Sequence, residues 1–222
     1  MVLSYIYTDI IDFKDPFNKK IVVLMMQVYL LSQQFNIPRL EQLCVQYLEF
    51  KIAKSNVLEA LCNCDKLNLQ LIKDYCMNYI IKEDHFQEIV NCSDFETLEK
   101  PLIIEIIRKK LNPSKQPSDM GYDKSIGTTL ESDMAVFLKS TGKEFCDITL
   151  VLDGHQIPAH KSILAARCAY FQAMFRSFNP ADNSVNIQIG DVKPSLEAFN
   201  SLLRYIYYGD TKMPTEDSLY LF

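Results

Sequence analysis

At 222 residues the chain has room for one or two domains. It is 48% hydrophobic and 23% charged, the balance of an ordinary globular core, and a net charge of −5 with no basic stripe among the aromatics argues against nucleic-acid binding. No apolar run reaches the ~18 residues of a membrane-crossing helix, no signal peptide opens the chain, and seven cysteines without a disulfide-like rhythm favour a reducing, cytoplasmic setting.

Glycine divides the chain. All six glycines lie beyond residue 120. Tight hairpins usually need glycine, so residues 1–111 read as helical. The densest apolar stretch, Ile21 to Leu31, is interrupted by Gln27. Leu40, Leu43, Cys44, Tyr47 and Leu48 then recur on one helix face, with Pro38 at its opening. Asn56 with Glu59 predicts a capping-box start for a helix carrying Val57, Leu58, Leu61 and Cys62. Leu71, Ile72, Tyr75, Cys76 and Tyr79 repeat the stripe, and Pro101 opens a helix with Leu102, Ile103, Ile106 and Ile107. Arg108-Lys109-Lys110 closes it, where cations suit the negative dipole end. Short helices with short connections predict antiparallel helical hairpins. Residues 112–126, polar and proline-rich, predict a linker.

The second half is mixed. Leu130, Met134, Phe137 and Leu138 mark an amphipathic helix over 128–140. Phe145 to Leu152 predicts a strand, Asp153-Gly154 a two-residue hairpin turn, and Gln156-Ile157 the returning strand. Helical spacing resumes at Ile163 and Leu164 and continues through Phe171, Met174, Phe175 and Phe178. Val185, Ile187 and Ile189 alternate as a strand face. Pro194 opens a helix with Leu196, Phe199, Leu202, Leu203 and Ile206, and Gly209 is placed to stop it.

A repeat links the two ends. Leu3-Ser4-Tyr5-Ile6-Tyr7 returns as Leu203-Arg204-Tyr205-Ile206-Tyr207, four identities in five positions, 200 residues apart. That period is too long for a solenoid unit and predicts two copies of a domain pair, with this chain cut from the middle. Apolar residues near the end, such as Tyr220 and Phe222, would then be exposed or would seek another copy, making a swapped dimer a possible outcome.

Three blocks carry a family resemblance: Phe145-Cys146-Asp147-Ile148-Thr149-Leu150, then Pro158-Ala159-His160-Lys161-Ser162-Ile163-Leu164-Ala165-Ala166-Arg167, then Tyr170-Phe171 with Met174-Phe175. In order and spacing they resemble the BTB/POZ domain, and Tyr205-Ile206-Tyr207-Tyr208-Gly209 matches its next marker. The first copy matches only that last marker, with Asp9 in place of glycine. The resemblance implies an α+β, mostly helical fold: the C-terminal part of a first BTB domain at 1–50, a helical three-box/BACK region at 51–111, the linker at 112–126 and a second BTB domain from 127 to 222. Two such units in tandem resemble the Kelch-bearing BTB–BACK family of cullin-3 ubiquitin-ligase adaptors. That implies cullin-3 and self-association as partners, Ras-type GTPase substrates through a Kelch part absent here, and a cytosolic site at the Golgi or other endomembranes. No cofactor is implied.

The resemblance also supplies site residues. Leu130, Met134, Phe137 and Leu138 are implied at a BTB dimer interface, with Asp147 and His160 structural beside it; docking of the 128–140 helix on its own domain explains the same stripe. Tyr7 and Tyr207 are candidate cullin contacts, with packing at a helix end as the alternative. Cullin-binding BTB domains carry a hydrophobic-x-Glu motif after the Met174-Phe175 helix, where this chain has Asn179-Pro180-Ala181. Both functional ends are missing there, and Phe178 and Asp182 stand one step outside.

Two chemical readings compete on the residues alone. Asp147 and His160 suggest a catalytic dyad, but no nucleophile in a motif context accompanies them. Buried polar groups more often satisfy one another. Cys62-x-Cys64, with Cys44, Cys76 and His85, suggests zinc, yet residues two apart on a helix diverge, which favours buried free thiols.

Overall fold

The computed structural model describes residues 1–11, 20–112, 120, 128–177, 182–187 and 195–210. The chain forms two compact units, 1–127 and 128–222.

Among the described residues the first unit's regular elements are all helices: α1 (Val2–Thr8), α2 (Ile21–Gln34), α3 (Pro38–Lys51), α4 (Val57–Lys66), α5 (Gln70–Ile81), α6 (Glu83–Val90), α7 (Ser93–Glu96) and α8 (Lys100–Leu111). α2 packs on α3 and α4 on α5 as the predicted hairpins. Both turn without glycine. Asn36 and Asn68 take left-handed backbone at φ 52° and 55°. Ile37 N–H then donates to the Ser32 carbonyl and Leu69 N–H to the Cys64 carbonyl, each at 2.8–2.9 Å. These are Schellman closures with asparagine in the usual glycine position.

One core runs through the unit from Tyr5 to Met120, centred on Met25, Met26, Leu40, Leu48, Leu61 and Ile72. Within α8 only Leu102 and Ile106 are buried; Ile107 is exposed. Lys110 does more than face the dipole: its Nζ donates to the Ile81 carbonyl at 2.8 Å and lies over the Phe86 ring.

The capping box at Asn56 does not form. Asn56 is the N-cap of α4, but its Oδ1 accepts from Ala53 N–H and its Nδ2 donates to the Lys51 carbonyl. The amide holds the α3–α4 turn rather than the first turn of α4.

The second unit is α+β: α9 (Leu130–Lys139), a 3-10 turn (Thr141–Phe145), β1 (Ile148–Leu152), β2 (His155–Ala159), α10 (Lys161–Arg167), α11 (Ala169–Ser177), β3 (Ser184–Asn186) and α12 (Leu196–Tyr208). The sheet order is β2-β1-β3, with β1 antiparallel to β2 and parallel to β3. Asp153 and Gly154 both have positive φ, as a type I′ turn requires. Ile148, Leu150 and Leu152 point into a core shared with Leu164, Phe171 and Phe199.

Two sequence expectations shift here. Phe145 belongs to the 3-10 turn and is exposed, because β1 begins only where pairing to β2 begins, at Ile148 opposite Ala159. The helical spacing from Ile163 onward is carried by two helices, α10 and α11, separated at Cys168, which is extended (φ −140°). Ile189, Pro194, Tyr220 and Phe222 lie outside the described residues, as does most of the 112–126 linker. Met120 within that linker is buried in the first unit's core, its N–H bonded to the Glu49 carboxylate.

Candidate interaction site

The hairpin places Asp147 and His160 side by side at its open end. Asp147 N–H donates to the Ala159 carbonyl at 3.2 Å, extending the β1–β2 pairing by one step. Their side chains then diverge. Asp147 Oδ1 accepts the Lys161 N–H at 2.7 Å, satisfying a free donor in the first turn of α10.

The buried His160 ring turns the other way. Its Nε2 lies 2.9 Å from the Gly142 carbonyl, which only accepts, so a single ring N–H is assigned to Nε2. Nδ1 therefore accepts from the Tyr207 hydroxyl at 2.7 Å. The same oxygen accepts the His160 backbone N–H at 3.1 Å. The imidazole is thus saturated by the 3-10 turn and by α12, with no Asp147–His160 relay. Burial pushes the Tyr207 hydroxyl up to about 12, with the Cys146 and Asp147 charges adding and the His160 N–H opposing.

Cys146 is the neighbour that sequence reasoning passed over. Its Sγ sits 3.7 Å from His160 Nε2 and 3.5 Å from the Gly142 carbonyl. A thiol beside an imidazole resembles a nucleophile and its base, but the chemistry is wrong. Nε2 already donates to Gly142. Burial, then the Asp147 charge, push the Cys146 thiol up, against Lys143. The group is held as a thiol. The only sequence signal was its position beside Asp147 in the first motif block.

Around this polar cluster stands an apolar rim. α9 docks on α12 and on the 3-10 turn. Met134, Phe137 and Leu138 are half-buried against the core and Leu130 is half-buried at the helix start. Phe137 lies against the His160 ring at 4.7 Å and stacks on Phe145 at 6.3 Å. The outer side of the rim remains open: Val136 is 53% and Phe145 63% exposed. Gly142 can only be glycine, since an added Cβ would lie 2.6 Å from the Phe137 carbonyl oxygen.

The remaining candidates separate. Tyr207 is interior, its hydroxyl shared with His160, whereas Tyr7 is exposed. Asp182 is exposed, and its Oδ1 accepts the Ser184 N–H at the start of β3. Phe178 and Asn179 lie outside the described residues. Cys44, Cys64 and Cys76 are fully buried free thiols, and Cys62 and His85 are half-buried. Among the described residues no group of three His, Cys, Asp or Glu side chains could hold a metal ion, and no helix is long and apolar enough to cross a membrane.

The second unit thus joins its β-hairpin and helices to α12 around a saturated polar centre with an apolar rim. The BTB/POZ domain family matches residues 137–222. This stretch of the second unit therefore carries a BTB/POZ domain, a domain type that commonly dimerises and acts in adaptors.

Along its whole length the chain is similar to leucine-zipper-like transcriptional regulator 1. It is 61% identical to the Drosophila melanogaster homolog over 222 residues, all of this chain and 23% of that protein. It is 49% identical to the Homo sapiens protein over 223 aligned positions, all of this chain and 26% of that one. The chain thus spans about a quarter of these relatives. The BTB domain of human Gigaxonin is 28% identical over 43% of this chain and 79% of that one, with a TM-score of 0.32.

Proposed function

We propose that the chain is a non-catalytic, dimerising scaffold within a substrate-specific adaptor of a cullin-3 ubiquitin ligase. The observation that carries the binding role is the contrast inside the second unit. The Cys146–His160 contact is locked in hydrogen bonds, while Val136 and Phe145 beside it stay open to water. Met134, Phe137 and Leu138 back that rim from the core, with Leu130 half-buried at the start of the same helix; His160 holds the 3-10 turn through Gly142, and Asp147 caps α10. A second subunit docking there would bury the exposed pair. Mechanism is proximity: holding a substrate lysine near a charged conjugating enzyme raises its effective concentration, and a dimer doubles the attachment points.

The kinship with leucine-zipper-like transcriptional regulator 1 supports the finer reading. In it, 1–50 ends a first BTB domain, 51–111 is a BACK region, and a Kelch part elsewhere in a longer polypeptide selects Ras-type GTPases at the cytosolic face of endomembranes. Tyr7, Tyr207, Phe178, Asn179 and Asp182 are the candidate cullin contacts, Tyr207 being the enclosed one. Sedimentation equilibrium tests the scaffold role. The native chain should run as a dimer, and Val136→Glu with Phe145→Glu should give a folded monomer. A native monomer would contradict it.

One specific observation favours a second reading, a BTB oligomerisation module of a transcriptional or cytoskeletal regulator without cullin binding. Asn179-Pro180-Ala181 stands where cullin-binding domains resemble hydrophobic-x-Glu. If that reading holds, Asn179→Met with Ala181→Glu should create cullin binding where there was none.

A further inference from the structure

Residues 112–126 have the composition of a linker, yet Met120 is only 6% exposed and belongs to the first unit's core. Its backbone N–H donates to the Glu49 carboxylate on α3. An amide on an ionised acceptor is among the stronger hydrogen bonds. Glu49 is itself tied to α5, because its carbonyl accepts from the Tyr75 hydroxyl at 3.3 Å. One apolar and one polar contact therefore fasten this residue to the first unit.

Methionine suits a catch better than a permanent anchor. Its unbranched thioether fills irregular gaps, and oxidation turns the same side chain polar. Met25, Met26 and Met77 are also buried, at 0% exposed, but they lie within α2 and α5. Baring them means opening the helical core. Baring Met120 breaks only its own hydrogen bond and side-chain packing, which is a smaller local opening.

We propose that Met120 is a redox-released catch: docked, it holds the segment between the two units to α3 through Glu49, and oxidation of its thioether by a peroxide frees it. The sulfur gives an electron pair to one peroxide oxygen, and the S–O bond forms as the O–O bond breaks. The departing hydroxide takes the proton of the transferred oxygen and leaves as water. Sulfur is oxidised by two electrons and the peroxide is reduced by two. The sulfoxide oxygen is a strong acceptor that an apolar site leaves unpaired, so it favours water. With the catch closed, residues 121–127 join it to the second unit; with it open, residues 112–127 do. The longer tether lowers the effective concentration of one unit at a partner held by the other. This holds whichever partner that is, so the inference does not rest on the cullin reading.

The test treats the native chain with dilute hydrogen peroxide and follows each methionine by peptide mass spectrometry and the amide of residue 120 by hydrogen exchange. Met120 should oxidise at least ~10-fold faster than Met25, Met26 and Met77, and its amide should then exchange at least ~10-fold faster than before treatment. Met120→Leu keeps an apolar side chain without the sulfur, and its slow exchange should survive peroxide. Met120→Gln, polar like the sulfoxide, should exchange fast without any peroxide. Oxidation of Met120 no faster than of Met25 would overturn the proposal. So would fast exchange in the untreated native chain, slow exchange that persists after oxidation, or release of Met120→Leu by peroxide.

Discussion

The Tyr207 hydroxyl bonds to two atoms of one residue, Nδ1 of His160 at 2.7 Å and its backbone N–H at 3.1 Å. This ties α12 to the junction between β2 and α10. Tyr207→Phe removes the oxygen and leaves both His160 atoms buried without a partner. The expected cost is about 1–3 kcal/mol, read as a lower urea midpoint for the second unit at unchanged slope.

The same pair sets a pH dependence. The Tyr207 hydroxyl is raised to about 12 from 10.0, chiefly by burial. Between those values the unfolded chain loses this proton and the folded chain keeps it. The contribution is therefore fully present below pH about 10 and is lost as pH rises through about 12. Denaturation midpoints measured from pH 9 to 12 should fall less steeply for Tyr207→Phe than for the native chain.

Gly142 is confined by backbone. Its Cβ in Gly142→Ala would meet the Phe137 oxygen at 2.6 Å, an atom that cannot rotate away. The carbonyl of the same residue holds His160. The substitution should cost about 1–3 kcal/mol and loosen α9, read as faster amide exchange across 130–139.

The thiols give a direct check on catalysis. Cys44, Cys64 and Cys76 are buried, and Cys146 is held protonated by burial and by Asp147. Under iodoacetamide at pH 7, Cys146 should react no faster than a free cysteine and the three buried thiols only on unfolding. A Cys146 rate well above that of free cysteine, abolished by His160→Ala, would revive an enzyme reading.

Much of this architecture was legible from spacing alone. Helices α3, α5 and α8 follow their apolar stripes, and Asp153-Gly154 marks the hairpin. What failed was local. Asn56 offered the chemistry of a helix cap, yet two backbone partners upstream claimed its amide. Phe145 had strand character, but pairing fixed the strand's start later. The site was half legible: the motif blocks located His160, while its partners Gly142 and Tyr207 lie 18 and 47 positions away and only the fold joins them. The repeat showed two equivalent tyrosines, and only the three-dimensional packing shows that Tyr207 is enclosed while Tyr7 is open.

The most direct measurement is a calorimetric titration of the cullin-3 N-terminal domain into the native protein. The adaptor account predicts sub-micromolar binding, one cullin per BTB domain, weakened by charge reversal at Asp182. No heat from a well-folded protein would contradict it and leave the BTB domain as an oligomerisation device.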